Sequence, residues 1–143
     1  MADEAELRAE LVRVAQSLDR AGFYLSKSVS APWRDGLLIT PTGRPYANMR
    51  PEDVVELDLS GSQQGGARDP SSEWPLHSGI YKARPDAEAI VHTHSPMATA
   101  LSCARIGIPP FHYMIAICGG PGIRCADYAT FGSRELAVAG VKA

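Results

Sequence analysis

The sequence has little that would fit it for a membrane, a secretory route or a nucleic acid. No apolar run approaches the roughly 20 residues that a helical membrane span requires. With 14 Lys and Arg against 16 Asp and Glu, the net charge is −2, and no dense basic run appears, so a nucleic-acid partner is not expected. The opening Met1-Ala2-Asp3-Glu4-Ala5-Glu6 is acidic and lacks an apolar core, unlike a secretion signal. Cysteine is scarce. Cys103, Cys118 and Cys125 are odd in number and have no CxxC spacing, which points to reduced thiols in a cytoplasmic protein. Internal repeats, a glycine-rich dinucleotide fingerprint and a Gly-x-Ser-x-Gly elbow are all missing. What remains is an ordinary globular composition, 45% hydrophobic over 143 residues, enough for one domain with a real core.

Along the chain, Leu7, Leu11, Val14 and Leu18 recur at helical spacing, and Gly22 stands where that helix would end. Phe23 to Arg34 reads as irregular. Gly36-Leu37-Leu38-Ile39-Thr40 reads as a strand stopped by Pro41-Thr42-Gly43, and Pro51 to Asp53 as a single helical turn. Val54 to Leu59 reads as the next strand. Ser60 to Pro70, rich in Gly, Ser and Gln, reads as an exposed loop. A second helix is expected from Ser71 or Ser72, either of which can cap it, with Pro75 tolerated in its first turn, to about Arg84. Ser95-Pro96 signals a third helix and Ser133 a fourth. The fourth is still running at Ala143 with no capping glycine, and the expectation is a single domain, 1–143, interrupted at its C-terminal side. Strands alternate with helices without forcing a parallel sheet.

The chemistry concentrates in four places. Ala89-Ile90-Val91-His92-Thr93-His94 reads as a buried strand carrying two imidazoles at i and i+2, hence on one face. Two neutral imidazoles side by side suit a divalent ion such as zinc; two hydrogen-bonded structural histidines suit the pattern as well. Ser71-Ser72-Glu73 lies at a helix start, where free N–H groups and the dipole favour an anion, although the serines can equally be plain caps and Glu73 a plain dipole partner. Thr40-Pro41-Thr42-Gly43 is a polar turn with backbone N–H groups to offer. Phe111-His112-Tyr113-Met114 follows a double proline, and its tyrosine is either a proton donor or a packed aromatic.

In the stretches Leu38–Gly43, Pro70–Trp74, Ile90–His94 and Ile108–Leu136 the sequence resembles the class II aldolase family, which also holds sugar-phosphate 4-epimerases and dehydratases. His112–Ala116 and Tyr128–Leu136 resemble the L-fuculose-phosphate aldolase branch. The resemblance implies an α/β fold with a central, mainly antiparallel sheet flanked by helices, and a homotetramer. It implies Zn²⁺ on His92 and His94, with Glu73 as acid/base that also touches the metal when substrate is absent. Ser71, Ser72, Thr42 and Gly43 would hold the substrate phosphate. Tyr113, contributed across a subunit interface, would protonate the aldehyde oxygen, and Phe131 would wall the aldehyde pocket. The implied reaction is reversible cleavage of a ketose 1-phosphate, a deoxyketose in particular, to dihydroxyacetone phosphate and an aldehyde.

Two departures from the family pattern stand out. The family's Gly-Thr-x-Gly-Asn loop corresponds to Gly22–Ser30, which is shorter and has lost its glycines; Ser28 falls where the asparagine is expected, and Lys27 offers charge in place of free backbone N–H groups. The family's third zinc histidine lies on a strand after the helix that begins near Ser133. His77, one turn beyond Glu73, and His112 are the other histidines present, and the resemblance makes neither a ligand. The 143 residues by themselves are therefore expected to cleave little or no substrate. A same-family 4-epimerase, a same-family dehydratase, and a non-catalytic chain that only binds a sugar or a partner are the competing readings.

Overall fold

The computed structural model describes residues 3–23 and 27–143. Helix α1 spans Glu4–Arg20 and turns Leu11, Val12 and Ala15 inward. It stops as the glycine signal foretold: Gly22 takes a φ of +88°, its N–H reaches the Asp19 carbonyl and the Phe23 N–H reaches that of Leu18. These are the two bonds of a Schellman cap, which a residue with a Cβ would strain.

Five strands form one antiparallel sheet in the order β4-β3-β2-β1-β5: β1 Lys27–Trp33, β2 Gly36–Ile39, β3 Val55–Asp58, β4 Gln63–Gly65 and β5 Ile90–Thr93. Side chains alternate between its faces. Val29, Ala31, Leu38 and Val54 pack with α1, Tyr46 and Met49 on one face. Leu37, Ile39, Val55 and Leu57 pack on the other with Tyr81 from helix α2, Trp74–Ala83. Helices α3, Pro96–Cys103, and α4, Arg134–Lys142, follow. Helix α4 lies on α2 through small residues. A Cβ on Gly79 would sit 3.1 Å from the Ala137 methyl, and one on Gly140 would sit 2.9 Å from Leu76 Cδ1. The α/β architecture with an antiparallel sheet between helices is the one the sequence implied.

Four local expectations need correcting. Residues 27–33, read as irregular, form β1, a central strand of the sheet. Its α2-facing positions are serines rather than aliphatics, so the apolar alternation was hidden. Three residues of the supposed 60–70 loop pair with β3 as β4, a short polar edge. Helix α2 has Glu73 as its N-cap rather than Ser71 or Ser72, because the Ser71 carbonyl is already engaged by the Trp74 N–H in a turn just before the helix. Finally, β5 is no buried strand: it pairs with β1 alone among the described residues, and Val91 on it is 49% exposed.

Candidate active site

The register of β1 and β5 sets the geometry. Ser28 stands opposite His92, and Ser30 opposite Ile90, so these side chains share the face that meets α2. His94 follows one residue past the end of β5. The rings of His92 and His94 turn toward each other, with Nε2 atoms 3.1 Å apart and ring planes at 67°. Two imidazole nitrogens on one tetrahedral ion would stand about 3.3 Å apart. Burial, and then the neighbouring His94, lower the His92 pKa, a shift toward the neutral ring that a cation needs.

Glu73, at the start of α2, is 5% exposed, and its Oε2 has no hydrogen-bond partner. Burial raises its carboxyl pKa; the neighbouring His94 and the Gly132 N–H pull the other way. A carboxylate oxygen left bare in the interior is costly unless something positive or protic meets it. That bare oxygen and the convergent imidazoles are the chemistry a divalent cation fits. Among the described residues, however, no three His, Cys, Asp or Glu side chains converge on a single metal position. The expected ligands His92, His94 and Glu73 are thus near one another without forming one triad. The structure assembles the histidine pair, with the carboxylate beside it.

The two loops expected to hold phosphate are brought together by the backbone. Pro41 bridges to Pro70, the Thr42 N–H donates to the Asp69 carbonyl at 3.1 Å, and the Ser71 N–H donates to that of Thr40 at 3.0 Å. Thr42 and Gly43 thus lie against Ser71 at the approach to α2. Gly43 has a φ of +65° and open space around it. Ser71 is buried, and its Oγ accepts the Glu73 N–H at 3.3 Å; Ser72, Thr42 and Gly43 are exposed.

Other expected residues fall elsewhere. Ser28 is a correction: it is fully buried and its hydroxyl is bonded to His77 Nε2 at 2.8 Å, so it has no surface to offer substrate. Lys27 does not substitute for the lost glycines, since its Nζ sits 2.6 Å from Asp19 and over the Tyr46 ring. Tyr24, Leu25 and Ser26 of the same loop lie outside the described residues. Tyr113 opens an exposed 3-10 turn, Tyr113–Cys118, with its own ring 80% exposed and 4.4 Å from that of His112. Phe131, also exposed, directly precedes Gly132, which packs on the Ser72 carbonyl.

Sequence reasoning missed the buried polar cluster behind the site. His77 is fully buried, bonded through Nε2 to Ser28 and through Nδ1 to Ser30 at 2.6 Å. Ser30 also meets the Tyr81 hydroxyl at 3.0 Å. The signal was the alternation Ser28-Val29-Ser30-Ala31 combined with His77 and Tyr81 one turn apart.

With this geometry in place, comparison with known proteins is specific. Over 127 residues the chain is 46% identical to the L-fuculose phosphate aldolase of Escherichia coli K12, covering 89% of this chain and 56% of the relative. It is also 46% identical over 132 residues to a 5-methylthioribulose-1-phosphate/5-deoxyribulose-1-phosphate aldolase of Rhodospirillum rubrum, covering 91% and 59% of the two. The chain therefore spans somewhat more than half the length of these relatives. Among solved structures, an L-fuculose 1-phosphate aldolase superposes with a TM-score of 0.92 at 36% identity, covering 99% of this chain and 68% of that one. Residues 9–143 match the family model described as Class II Aldolase and Adducin N-terminal domain, and the chain belongs to that family.

Proposed function

We propose that the protein of which these residues form the site-bearing part is a zinc-dependent aldolase, reversibly cleaving a ketose 1-phosphate to dihydroxyacetone phosphate and an aldehyde. The observation that carries this reading is the buried, bare Glu73 Oε2 beside the convergent His92 and His94 rings. Relatives named for fuculose phosphate and for 5-deoxyribulose 1-phosphate aldolase activity support it and favour a deoxyketose substrate.

His92 and His94 hold the metal, which when bound supplies Lewis acidity where charge develops on the substrate oxygens. Glu73 moves the proton at the carbon that becomes nucleophilic. Its raised pKa suits it to carry a proton and then return it. Ser71 and Ser72, with Thr42 and Gly43 from the adjoining loop, hold the phosphate at the N-terminal end of α2, where the dipole favours an anion. That remote grip orients the reacting carbons. Tyr113 protonates the aldehyde oxygen and Phe131 walls the aldehyde pocket. Both rings are exposed, as suits residues completed by a second copy, so the proposal includes a homo-oligomer, a tetramer by family likeness. No helix among the described residues is long and apolar enough to cross a membrane; the proposal places the protein in the cytoplasm, where sugar phosphates are metabolised.

The test is release of dihydroxyacetone phosphate from L-fuculose 1-phosphate and from 5-deoxyribulose 1-phosphate by the natural protein, with zinc loaded and with zinc stripped. Zinc-dependent release from either supports the proposal. A zinc-loaded, folded protein that releases none from both would overturn it.

A further inference from the structure

The buried cluster under the site joins the two elements on which the proposed chemistry depends. Helix α2 starts at Glu73, and its next turn carries His77, then Tyr81. Strand β5 carries His92 opposite Ser28, and Ile90 opposite Ser30. Among the described residues, the side-chain hydrogen bonds from α2 to β1 run through His77 and Tyr81: His77 to Ser28 and Ser30 and Tyr81 to Ser30, while Ile90 of β5 packs against the cluster that holds Tyr81. An imidazole held at both nitrogens cannot rotate about its own bond or flip. It is a rigid bracket between helix and sheet, one turn from Glu73 and one strand from His92.

Either direction of donation satisfies the ring: Tyr81 to Ser30, Ser30 to Nδ1 and Nε2 to Ser28, or the reverse, each leaving one hydroxyl hydrogen over at the far end. A leucine at 77 would fill similar space but leave the Ser28 hydroxyl without a partner and Ser30 with Tyr81 alone.

We propose that His77 is a positioning residue: bonded at both ring nitrogens, to Ser28 and Ser30, it fixes the helix that follows Glu73 against the sheet whose strand β5 carries His92 and leads into His94. The catalytic consequence rests on the aldolase reading above; the structural consequence does not.

The experiment uses the natural full-length protein labelled with ¹⁵N-histidine, as wild type, His77→Leu, His77→Gln and Ser30→Ala. Ser30 stands opposite Ile90 rather than His92 and bonds both His77 and Tyr81, so its loss tests the bracket without touching the His92 position directly. Long-range proton–nitrogen spectra should report His77 as a neutral ring with a single N–H. Loss of the ring, or of Ser30, should displace the ring signals of His92 and His94. It should also lower kcat by about tenfold with little change in KM, the scale on which supporting hydrogen bonds matter. Glutamine, which keeps an amide N–H to offer Ser28, should recover most of that loss where leucine does not. If His77→Leu fails to fold, Ser30→Ala carries the same readouts. Folded variants whose His92 and His94 signals and kcat match wild type would overturn the proposal. Displaced ring signals in a protein that cleaves no ketose phosphate would refute the aldolase reading and leave the positioning role standing; unmoved signals in an active enzyme would do the reverse.

Discussion

Gly132 rests directly on the backbone of Ser72: a Cβ there would lie 2.8 Å from the Ser72 carbonyl oxygen, and the residue holds a φ of +70°. One position thus joins the loop before α4 to the loop that precedes Glu73, and its N–H also favours the ionised form of that carboxylate. Gly132→Ala meets both a disfavoured backbone region and a backbone clash, and should cost about 2–4 kcal/mol. Gly43→Ala has the disfavoured φ but open space, and should cost about 1 kcal/mol. Denaturant titration of both variants checks the ordering, and an equal loss in the two would contradict it.

Acid stability should report His77. Burial, and secondarily His92, holds its pKa down to about 3 from an ordinary 6.5. The unfolded ring protonates near the ordinary value, so between the two values the unfolded chain binds the extra proton. Stability is therefore intact above 6.5 and falls as pH is lowered through that window. Comparing denaturation at pH 7 and pH 5, wild type should lose about 2 kcal/mol more than His77→Gln, at about 1.4 kcal/mol per unit.

Asp53 clamps the two loops of the proposed phosphate site. Burial raises its carboxyl pKa, but Arg68, the Arg50 N–H and Arg44 outweigh burial and hold it low. Arg44 directly follows Gly43 and lies 3.3 Å from the carboxylate; Arg68 precedes Asp69, whose carbonyl takes the Thr42 N–H. Asp53→Ala should cost about 1–3 kcal/mol of stability and raise KM for a phosphorylated substrate more than it lowers kcat. Steady-state kinetics with a thermal melt decides it, and an unchanged KM in a destabilised protein would confine Asp53 to folding.

Within the proposed chemistry, Glu73 and the histidines should separate cleanly. Glu73→Gln should keep zinc and lower kcat by about 10²–10⁴. His92→Ala and His94→Ala should lose zinc, as should exhaustive chelation of the wild type, with activity returning when zinc is restored. Elemental analysis beside the dihydroxyacetone phosphate assay reads both. Zinc loss from Glu73→Gln would mean that the carboxylate is a ligand first.

Much of this was legible in the sequence because it rested on local periodicity. Gly22 ends α1, Ser133 caps α4, accepting the Leu136 N–H at 3.1 Å, and the i, i+2 histidines do converge, although His94 lies just past the end of β5. What escaped depended on partners distant in sequence. A strand whose inward residues are Ser28 and Ser30 looks polar until His77, nearly fifty positions away, is known to lie on it. Ser28 looked like a substrate contact because of its place in a loop motif, and only the register with β5 shows it turned into the core.

The bracket formed by Ser28, Ser30, His77 and Tyr81 also bears on how this sequence can drift. Changing any one of the four to an apolar residue strands a buried hydroxyl or ring nitrogen on its neighbour, a loss of about 1–3 kcal/mol. Changing all of them together to well-packed hydrophobics need cost little, since no orphan would remain. The four positions should therefore vary as a block among descendants of this chain, with single replacements rare. Directed evolution starting here should find the all-apolar version only by recombining several changes in one step. Double-mutant cycles within the block should be strongly non-additive, whereas cycles between the block and α1 should not.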